Sequence, residues 1–130
     1  MPMRPATFRP RGVAPKAERV REYEQRRGSA ASRGYDADWR RAARVHLTAS
    51  PLCRYCEVGA WGAPRVTAAT LVDHFYQHMG DMQLFWASDW WVSSCKPCHD
   101  GPKQAVERIG GSALDLLAAR LGLVVRRGGG

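Results

Sequence analysis

The stretch that decides the fold begins with Cys53-Arg54-Tyr55-Cys56 and ends with Cys95-Lys96-Pro97-Cys98-His99. The protein has four cysteines, and all of them lie in these two CxxC pairs. Two pairs at this spacing are typical of a zinc site, because each pair can form a tight turn that directs two sulfurs at one ion. The sequence therefore predicts a structural Zn²⁺ bound by four thiolates, those of Cys53, Cys56, Cys95 and Cys98.

The alternative use of a CxxC pair is redox chemistry. A redox pair is expected within a βαβ pattern, which this sequence lacks, and one metal site accounts for both pairs. The arginines near the N-terminus are not followed by the apolar segment of a secretory signal, so we expect a cytoplasmic protein. Thiols in that reducing compartment bind metals more often than they form disulfides. No apolar run reaches the length of about 18 residues expected of a membrane-spanning helix.

The chain of 130 residues is short, and only part of it has the pattern of a packed core. Small domains often need a metal for stability, which agrees with the predicted zinc site. We expect three parts. Residues 1–34 form a basic, Pro/Arg-rich flexible arm, residues 35–109 form a zinc-stapled domain, and residues 110–130 form a C-terminal helix and tail.

The net charge of +8 is concentrated in the first third of the chain. Residues 1–44 contain twelve Lys or Arg against five Asp or Glu, a balance of +7, whereas the remainder has eight against seven. A basic arm ahead of a nearly neutral domain favours a polyanionic partner, most often nucleic acid. The alternative is a solvated tail that keeps the protein soluble.

Helical and strand patterns surround the cysteines. Asp36 is the expected N-cap of a helix through about Thr48, with Trp39 on its apolar face and His46 as a candidate for the same face. Residues 68–72 are expected to form a short buried strand, and residues 91–94 a second strand that enters the second cysteine pair. A helix should follow from about Cys98 to Ile109, with Pro102 in its first turn. Ser112 is the expected cap of a last helix.

Two histidines occupy chemically useful places in this pattern. His74 ends the first strand and His99 begins the helix, so they can face each other across a small cleft. There the second histidine can hold a divalent cation while the first deprotonates water. Such a cation attracts a phosphodiester and stabilises the charge on its phosphoryl group.

Several motifs resemble the HNH endonucleases, in particular small phage-type HNH proteins with an added four-cysteine zinc site. They are Val72-Asp73-His74, His78-x-Gly80-Asp81, Leu84-Phe85-Trp86, Trp91 and Cys95-Lys96-Pro97-Cys98-His99-Asp100. With the entry Tyr35-Asp36-x-x-Trp39, the resemblance covers about residues 1–108. It implies a small α+β fold: a ββα-metal core stapled by the four-cysteine zinc site, with flanking helices and a disordered basic N-terminus.

The resemblance also implies roles for individual residues. His74 matches the general base, and Asp73 and His99 match the ligands of a catalytic divalent cation such as Mg²⁺, Mn²⁺ or Ni²⁺. The implied activity is cleavage of DNA phosphodiester bonds, with phage terminase or other packaging proteins as further partners. Neighbouring residues of a regular strand point to opposite faces. We therefore expect an irregular strand end that lets Asp73 and His74 share one site.

Other residues are expected to contact the nucleic acid. For His78 the alternative is a role in the loop or in supporting the site, and for Lys103 the alternative is a charge on the helix surface. These expected contacts are His78, Lys96, Lys103, Arg40, Arg41 and Arg44.

Two positions depart from the family pattern. Trp90 stands where the family has Asn or His, and an indole cannot ligate a metal. Ala87 replaces an aspartate, although a shift of one residue would place Asp89 in the middle position. The alternative to an endonuclease is therefore a catalytically weakened zinc-binding module that holds DNA or a packaging partner.

Overall fold

The structure, a computed structural model, describes residues 16–27 and 33–126, and it describes side chains for residues 16–21 and 33–126. Most of the predicted arm over residues 1–34 and the end of the predicted tail lie outside these ranges. The described part of the arm contains helix α1 (Lys16–Arg27), whose described side chains are exposed.

The described residues form a small α+β fold with one two-stranded antiparallel sheet. Strands β1 (Leu71–His74) and β2 (Trp91–Ser94) form the sheet. A 3₁₀ turn (Ser88–Trp90) precedes β2, and a π-helical turn (His99–Lys103) begins directly after Cys98. The remaining helices are α2 (Ala37–Ala49), α3 (Arg54–Val58), α4 (Met82–Phe85), α5 (Lys96–Cys98), α6 (Gln104–Ile109) and α7 (Gly111–Arg120). No helix within the described ranges combines the length and the hydropathy needed to cross a membrane.

The two strands pair in register from Leu71 opposite Ser94 to His74 opposite Trp91. The second strand is where the sequence predicted it. The first begins three residues later than expected, because Ala68 instead forms an isolated bridge with Leu52. Pairing continues through His74, so the expected irregularity at the end of β1 is wrong.

Helix α2 begins as predicted. A side-chain oxygen of Asp36 accepts a hydrogen bond from the Trp39 backbone N–H at 3.1 Å, which satisfies a free donor in the first turn. Trp39 is buried, and its ring stacks on that of His74 with centroids 4.5 Å apart. This contact packs α2 against β1.

The helical segment after β2 starts at Lys96, earlier than expected, and Pro102 lies in its π turn rather than in a first turn. Proline has no N–H and clashes with the carbonyl four residues before it in a regular α-helix. A π turn is wider and closes on a different carbonyl, so it accommodates the ring. The prediction for Pro102 is wrong for this reason.

Helix α7 joins the same core as the cysteines. It begins after Gly110, whose φ is +68°, so Ser112 lies in the first turn and is not the cap. Two of its apolar residues and the capping residue that follows it are buried with the four cysteines, Tyr55 and Phe75: Leu117, Ala118 and Leu121. The Arg120 guanidinium donates to the backbone oxygens of Val58 and Gly59. The predicted C-terminal part therefore packs on the first cysteine pair.

The three tryptophans around the start of β2 differ in exposure. Trp90 and Trp91 are half-buried, whereas Trp86 is 42% exposed at the end of α4. Trp86 therefore contributes less to the core than the other two.

Candidate functional site

The four cysteines come together as predicted. All are buried free thiols, and their sulfurs lie within 4.8 Å of one another. The Cys56 sulfur is 3.6 Å from that of Cys98 and 4.0 Å from that of Cys95. A tetrahedral zinc ion with Zn–S bonds of about 2.3 Å places its sulfurs roughly 3.8 Å apart. The cluster therefore has the ligands and the size for a metal ion such as zinc.

The short helices α3 and α5 position the four sulfurs. Cys53 precedes α3 and Cys56 lies within it, while Cys95 follows β2 and Cys98 ends α5. Helix α3 ends at Gly59, whose φ is +65°. A Cβ at Gly59 would lie 2.6 Å from the Gly62 carbonyl oxygen, so only glycine fits this turn.

Nearby donors stabilise thiolates in the cluster. The Trp61 indole N–H donates to the Cys98 sulfur at 3.3 Å, and Arg65 Nε donates to the Cys56 sulfur at 3.4 Å. Burial raises the pKa of Cys56, but hydrogen bonds from Thr67 and Arg65 outweigh burial and lower that pKa to about 6. Burial raises the pKa of Cys98 to about 12. A bound cation would favour the thiolate at all four positions.

Asp73 lies next to this cluster with 3% of its surface exposed. Its Oδ2 accepts a hydrogen bond from the Tyr55 hydroxyl at 2.6 Å and forms an ion pair with Lys103 Nζ at 3.0 Å. Its Oδ1 is 3.6 Å from Nε2 of His99. The structure thus brings together two residues predicted as cation ligands.

The orientation of His99 suits metal binding. Its Nδ1 is 2.9 Å from Oδ1 of Asp100, so in the neutral ring Nδ1 carries the hydrogen and Nε2 carries the lone pair. Two acceptors, Nε2 and the Asp73 carboxylate, then face each other. Oxygen or nitrogen ligands about 2.1 Å from one cation lie about 3 Å apart, which fits this pair after a small closure. A carboxylate behind a ligating histidine is the usual support for such a ligand.

His74 lies on the other face of β1. Its ring packs on Trp39 and on Phe85, whose centroid is 4.4 Å away, and it lies near Tyr35 and His78. Consecutive side chains of a regular strand point to opposite faces, so Asp73 and His74 contact different residues. The structure therefore gives the two side chains different neighbours, whereas the sequence analysis expected them to share one site.

The environment of His74 keeps its ring neutral. Burial, followed by the charge of His78, lowers the pKa of His74 to about 4. A hydrogen bond to the Phe85 backbone uses the ring N–H, and Nε2 is buried without a hydrogen-bond partner. Nε2 therefore carries an unused lone pair.

His78 holds the loop after β1. Its Nδ1 accepts a hydrogen bond from the Gly80 backbone N–H at 3.1 Å. Nε2 must then carry the hydrogen in the neutral ring, and it donates to the Tyr35 hydroxyl oxygen at 3.0 Å. These contacts agree with the loop role that was the alternative to a nucleic-acid contact.

The predicted basic contacts divide into two groups. Arg40, Arg41 and Arg44 are exposed on α2, and Lys96 is exposed while it pairs with Asp100 at 2.7 Å. Lys103, in contrast, has 0% of its surface exposed. The prediction that Lys103 contacts phosphate is wrong, because the π turn places its ammonium inside the protein.

The buried ammonium has three oxygen partners. Lys103 Nζ lies 2.6 Å from Glu107 Oε1, 2.9 Å from the Phe75 carbonyl oxygen and 3.0 Å from Asp73. Sequence reasoning missed Tyr55 and Glu107 in this network. The spacing of Glu107 four residues after Lys103 was the available signal.

Trp90 does not lie between Asp73 and His99. Its indole N–H donates to the Val124 carbonyl oxygen at 2.7 Å, and its ring packs in a T-shaped arrangement with that of Tyr76. Its backbone oxygen accepts from the Phe75 N–H at 2.9 Å, which ties together the ends of the loop between the strands. Asp89, the alternative middle residue, is exposed in the 3₁₀ turn.

Comparison with protein-family models, with curated proteins and with solved structures finds no match to this chain.

Proposed function

We propose that this protein is a metal-dependent HNH-type endonuclease that hydrolyses DNA phosphodiester bonds and carries a structural zinc ion at its four cysteines. The observation that supports it best is the pair formed by Asp73 and His99 next to the cysteine cluster. The pair joins the first strand of a hairpin to the helix that follows the second strand, which is the element order of a ββα-metal core.

In this proposal Asp73 and His99 hold a divalent cation such as Mg²⁺, Mn²⁺ or Ni²⁺. A cation bound there supplies charge stabilisation to the phosphoryl group and to the departing oxygen. Asp100 contacts Nδ1 of His99 and so leaves the lone pair on Nε2, which faces Asp73. Two protein ligands leave further coordination positions for water and for phosphate oxygens, as is usual for Mg²⁺.

His74 is the proposed general base. Its low pKa keeps the imidazole neutral at physiological pH, and its Nε2 is free to accept a proton. Nε2 is covered by neighbouring aromatic rings, so water reaches it only when that cover moves. The covering rings include those of Trp39, Phe85 and Tyr35.

Binding of DNA is proposed for the basic surface of α2. Arg40 and Arg41 are adjacent, Arg44 lies about one turn further along the helix, and all three are exposed. The whole chain carries a charge of +8. Their charges can neutralise backbone phosphates without reading sequence. A phage origin, packaging partners such as terminase, and a cytoplasmic site of action belong to this proposal through the family resemblance alone.

A second candidate function is a zinc-binding module that holds DNA or a packaging partner without cutting. The specific observation in its favour is that His74 and Asp73 lie on opposite faces of β1, with Nε2 of His74 buried. The indole at position 90 also supplies no metal ligand.

Nicking of supercoiled plasmid separates the two functions. Zinc-loaded protein should nick plasmid in Mn²⁺ or Mg²⁺, and His74→Ala and His99→Ala should abolish nicking while DNA binding persists. His46→Ala is the matched control, because His46 is a half-buried histidine that packs on Trp91. A wild type that binds DNA but leaves plasmid intact in Mg²⁺, Mn²⁺ and Ni²⁺ would favour the module.

A further inference from the structure

Tyr55 links the cysteine cluster to Asp73. It lies between Cys53 and Cys56 and is completely buried. Its ring stacks on Trp61 with centroids 5.1 Å apart, and the Trp61 indole donates to the Cys98 sulfur. The Tyr55 ring is therefore held by the two cysteines that flank it in the chain and by Trp61, which itself contacts Cys98.

The Tyr55 hydroxyl acts as a fixed donor. Its oxygen is 2.6 Å from Asp73 Oδ2, a short contact typical of a hydroxyl that donates to a carboxylate.

Lys103 contacts the same oxygen of the Asp73 carboxylate as Tyr55 does. Its Nζ is 3.0 Å from Oδ2 of Asp73, and Glu107 lies on its other side at 2.6 Å. The two carboxylates carry two negative charges against one positive charge, so the group keeps a net charge of −1 that attracts a cation. The Tyr55 hydrogen bond and the Lys103 ion pair both involve Oδ2, which leaves Oδ1 turned toward His99 at 3.6 Å.

We propose that Tyr55 and Lys103 are positioning residues that fix the Asp73 carboxylate so that Oδ1 alone is offered to a divalent cation beside His99. The inference rests on the cation pair of the proposed function. Because Tyr55 stands between two cysteines of the cluster, filling the four-cysteine site also sets the orientation of Asp73. Partners that orient a metal ligand typically change metal affinity by about 10–100-fold when they are removed.

Tyr55→Phe removes only the hydroxyl, and Tyr76→Phe is its matched control. Tyr76 is also buried and donates to a carboxylate, that of Asp115 at 2.9 Å. Mn²⁺ affinity of the zinc-loaded full chain is measured from the EPR signal of free Mn²⁺, with zinc content and thermal unfolding as checks. We expect the Mn²⁺ Kd to rise by about tenfold or more in Tyr55→Phe and to stay at the wild-type value in Tyr76→Phe.

Wild-type Mn²⁺ affinity in a folded, zinc-loaded Tyr55→Phe protein would overturn the inference. So would a wild type that shows no Mn²⁺ binding sensitive to His99→Ala. If Mn²⁺ binding behaves as expected but plasmid stays intact, the nuclease proposal fails while the positioning role stands.

A measurement on the wild type alone covers the case in which Tyr55→Phe loses zinc. The Tyr55 hydroxyl proton should be visible by NMR as a protected, hydrogen-bonded resonance. It should persist when Mg²⁺ is added, while the His99 resonances shift. Loss of the hydroxyl resonance on Mg²⁺ addition would mean that the cation takes both oxygens of Asp73, and the inference would be wrong.

Discussion

At the scale of single residues, Lys103 shows how this small protein uses charge inside its core. Removing an ammonium group from water costs several kcal/mol, and the interior must supply partners to offset that cost. Asp73, Glu107 and the Phe75 carbonyl oxygen do so. Asp73 and Glu107 in turn need the Lys103 ammonium to offset the cost of removing their own charges from water.

Lys103→Met should therefore lower the free energy of unfolding by about 3–5 kcal/mol, because it leaves Asp73 and Glu107 buried with uncompensated charge. Urea unfolding of the zinc-loaded protein measures this change. The control is Lys96→Met, which breaks the exposed pair with Asp100 and should change stability little. Equal losses in the two variants would contradict the account.

The identities of the residues predicted the metal ligands well, but they did not predict how individual side chains are buried in the fold. The cysteines were predictable because thiolates in two CxxC pairs have few other uses, and their spacing alone indicates a metal site. Lys103 was not, because a lysine in a charged helical stretch normally lies in solvent. Its burial depends on a π turn, which local propensity does not predict.

At the scale of elements, α2 has two faces with separate tasks. Trp39 packs on His74 in the interior, whereas Arg40, Arg41 and Arg44 lie in solvent. Periodicity predicted this division correctly, because burial of an apolar stripe forces the intervening polar residues outward.

Each of these arginines that contacts a phosphate should contribute to the salt dependence of DNA binding. Replacing one with Gln should reduce the slope of log K against log salt by about 0.9 for duplex DNA, because one fewer counterion is released. Fluorescence anisotropy at several salt concentrations gives the slope. Arg108→Gln removes an exposed arginine of α6 as a control and should leave the slope unchanged. An identical reduction in all four variants would show only an effect of net charge.

The strands were predictable as elements but not in their detail. Val, Leu and Trp around residues 71–74 and 91–94 favour strands, yet a short apolar run does not reveal where pairing ends. That single point decides which neighbours each of these side chains has. Regular pairing through His74 gives Asp73 and His74 different neighbours.

At the scale of the whole molecule, the cysteine cluster is part of the hydrophobic core. The cysteines pack with Tyr55, Phe75 and Val92, and with apolar residues of α7. A core this small depends on whatever holds the cysteines together. Helix α7 was predicted as a separate part because the glycines before it indicate a break, and only tertiary packing shows that it belongs to the core.

Removal of zinc should therefore unfold residues well beyond the two cysteine pairs. Chelation should abolish the cooperative thermal transition seen by circular dichroism, and Zn²⁺ should restore it, because metal binding free energy in such sites is folding free energy. The metal content should be one zinc per chain, and Co²⁺ should give the spectrum of a tetrahedral thiolate site. A chelated protein with an unchanged transition would contradict this.

The π turn from His99 to Lys103 has a consequence for insertions and deletions. It holds one residue more than a regular helical turn and absorbs that residue locally, so the helical segments on either side keep their rotation about the axis. A deletion of one residue within the turn should therefore restore the ordinary α-helical repeat while Glu107 keeps its direction relative to His99. The same deletion in α6, between Lys103 and Glu107, has no extra residue to absorb it and would rotate Glu107 by about 100° around the axis, away from Lys103. Natural variants should therefore lose a residue within the turn more readily than in α6.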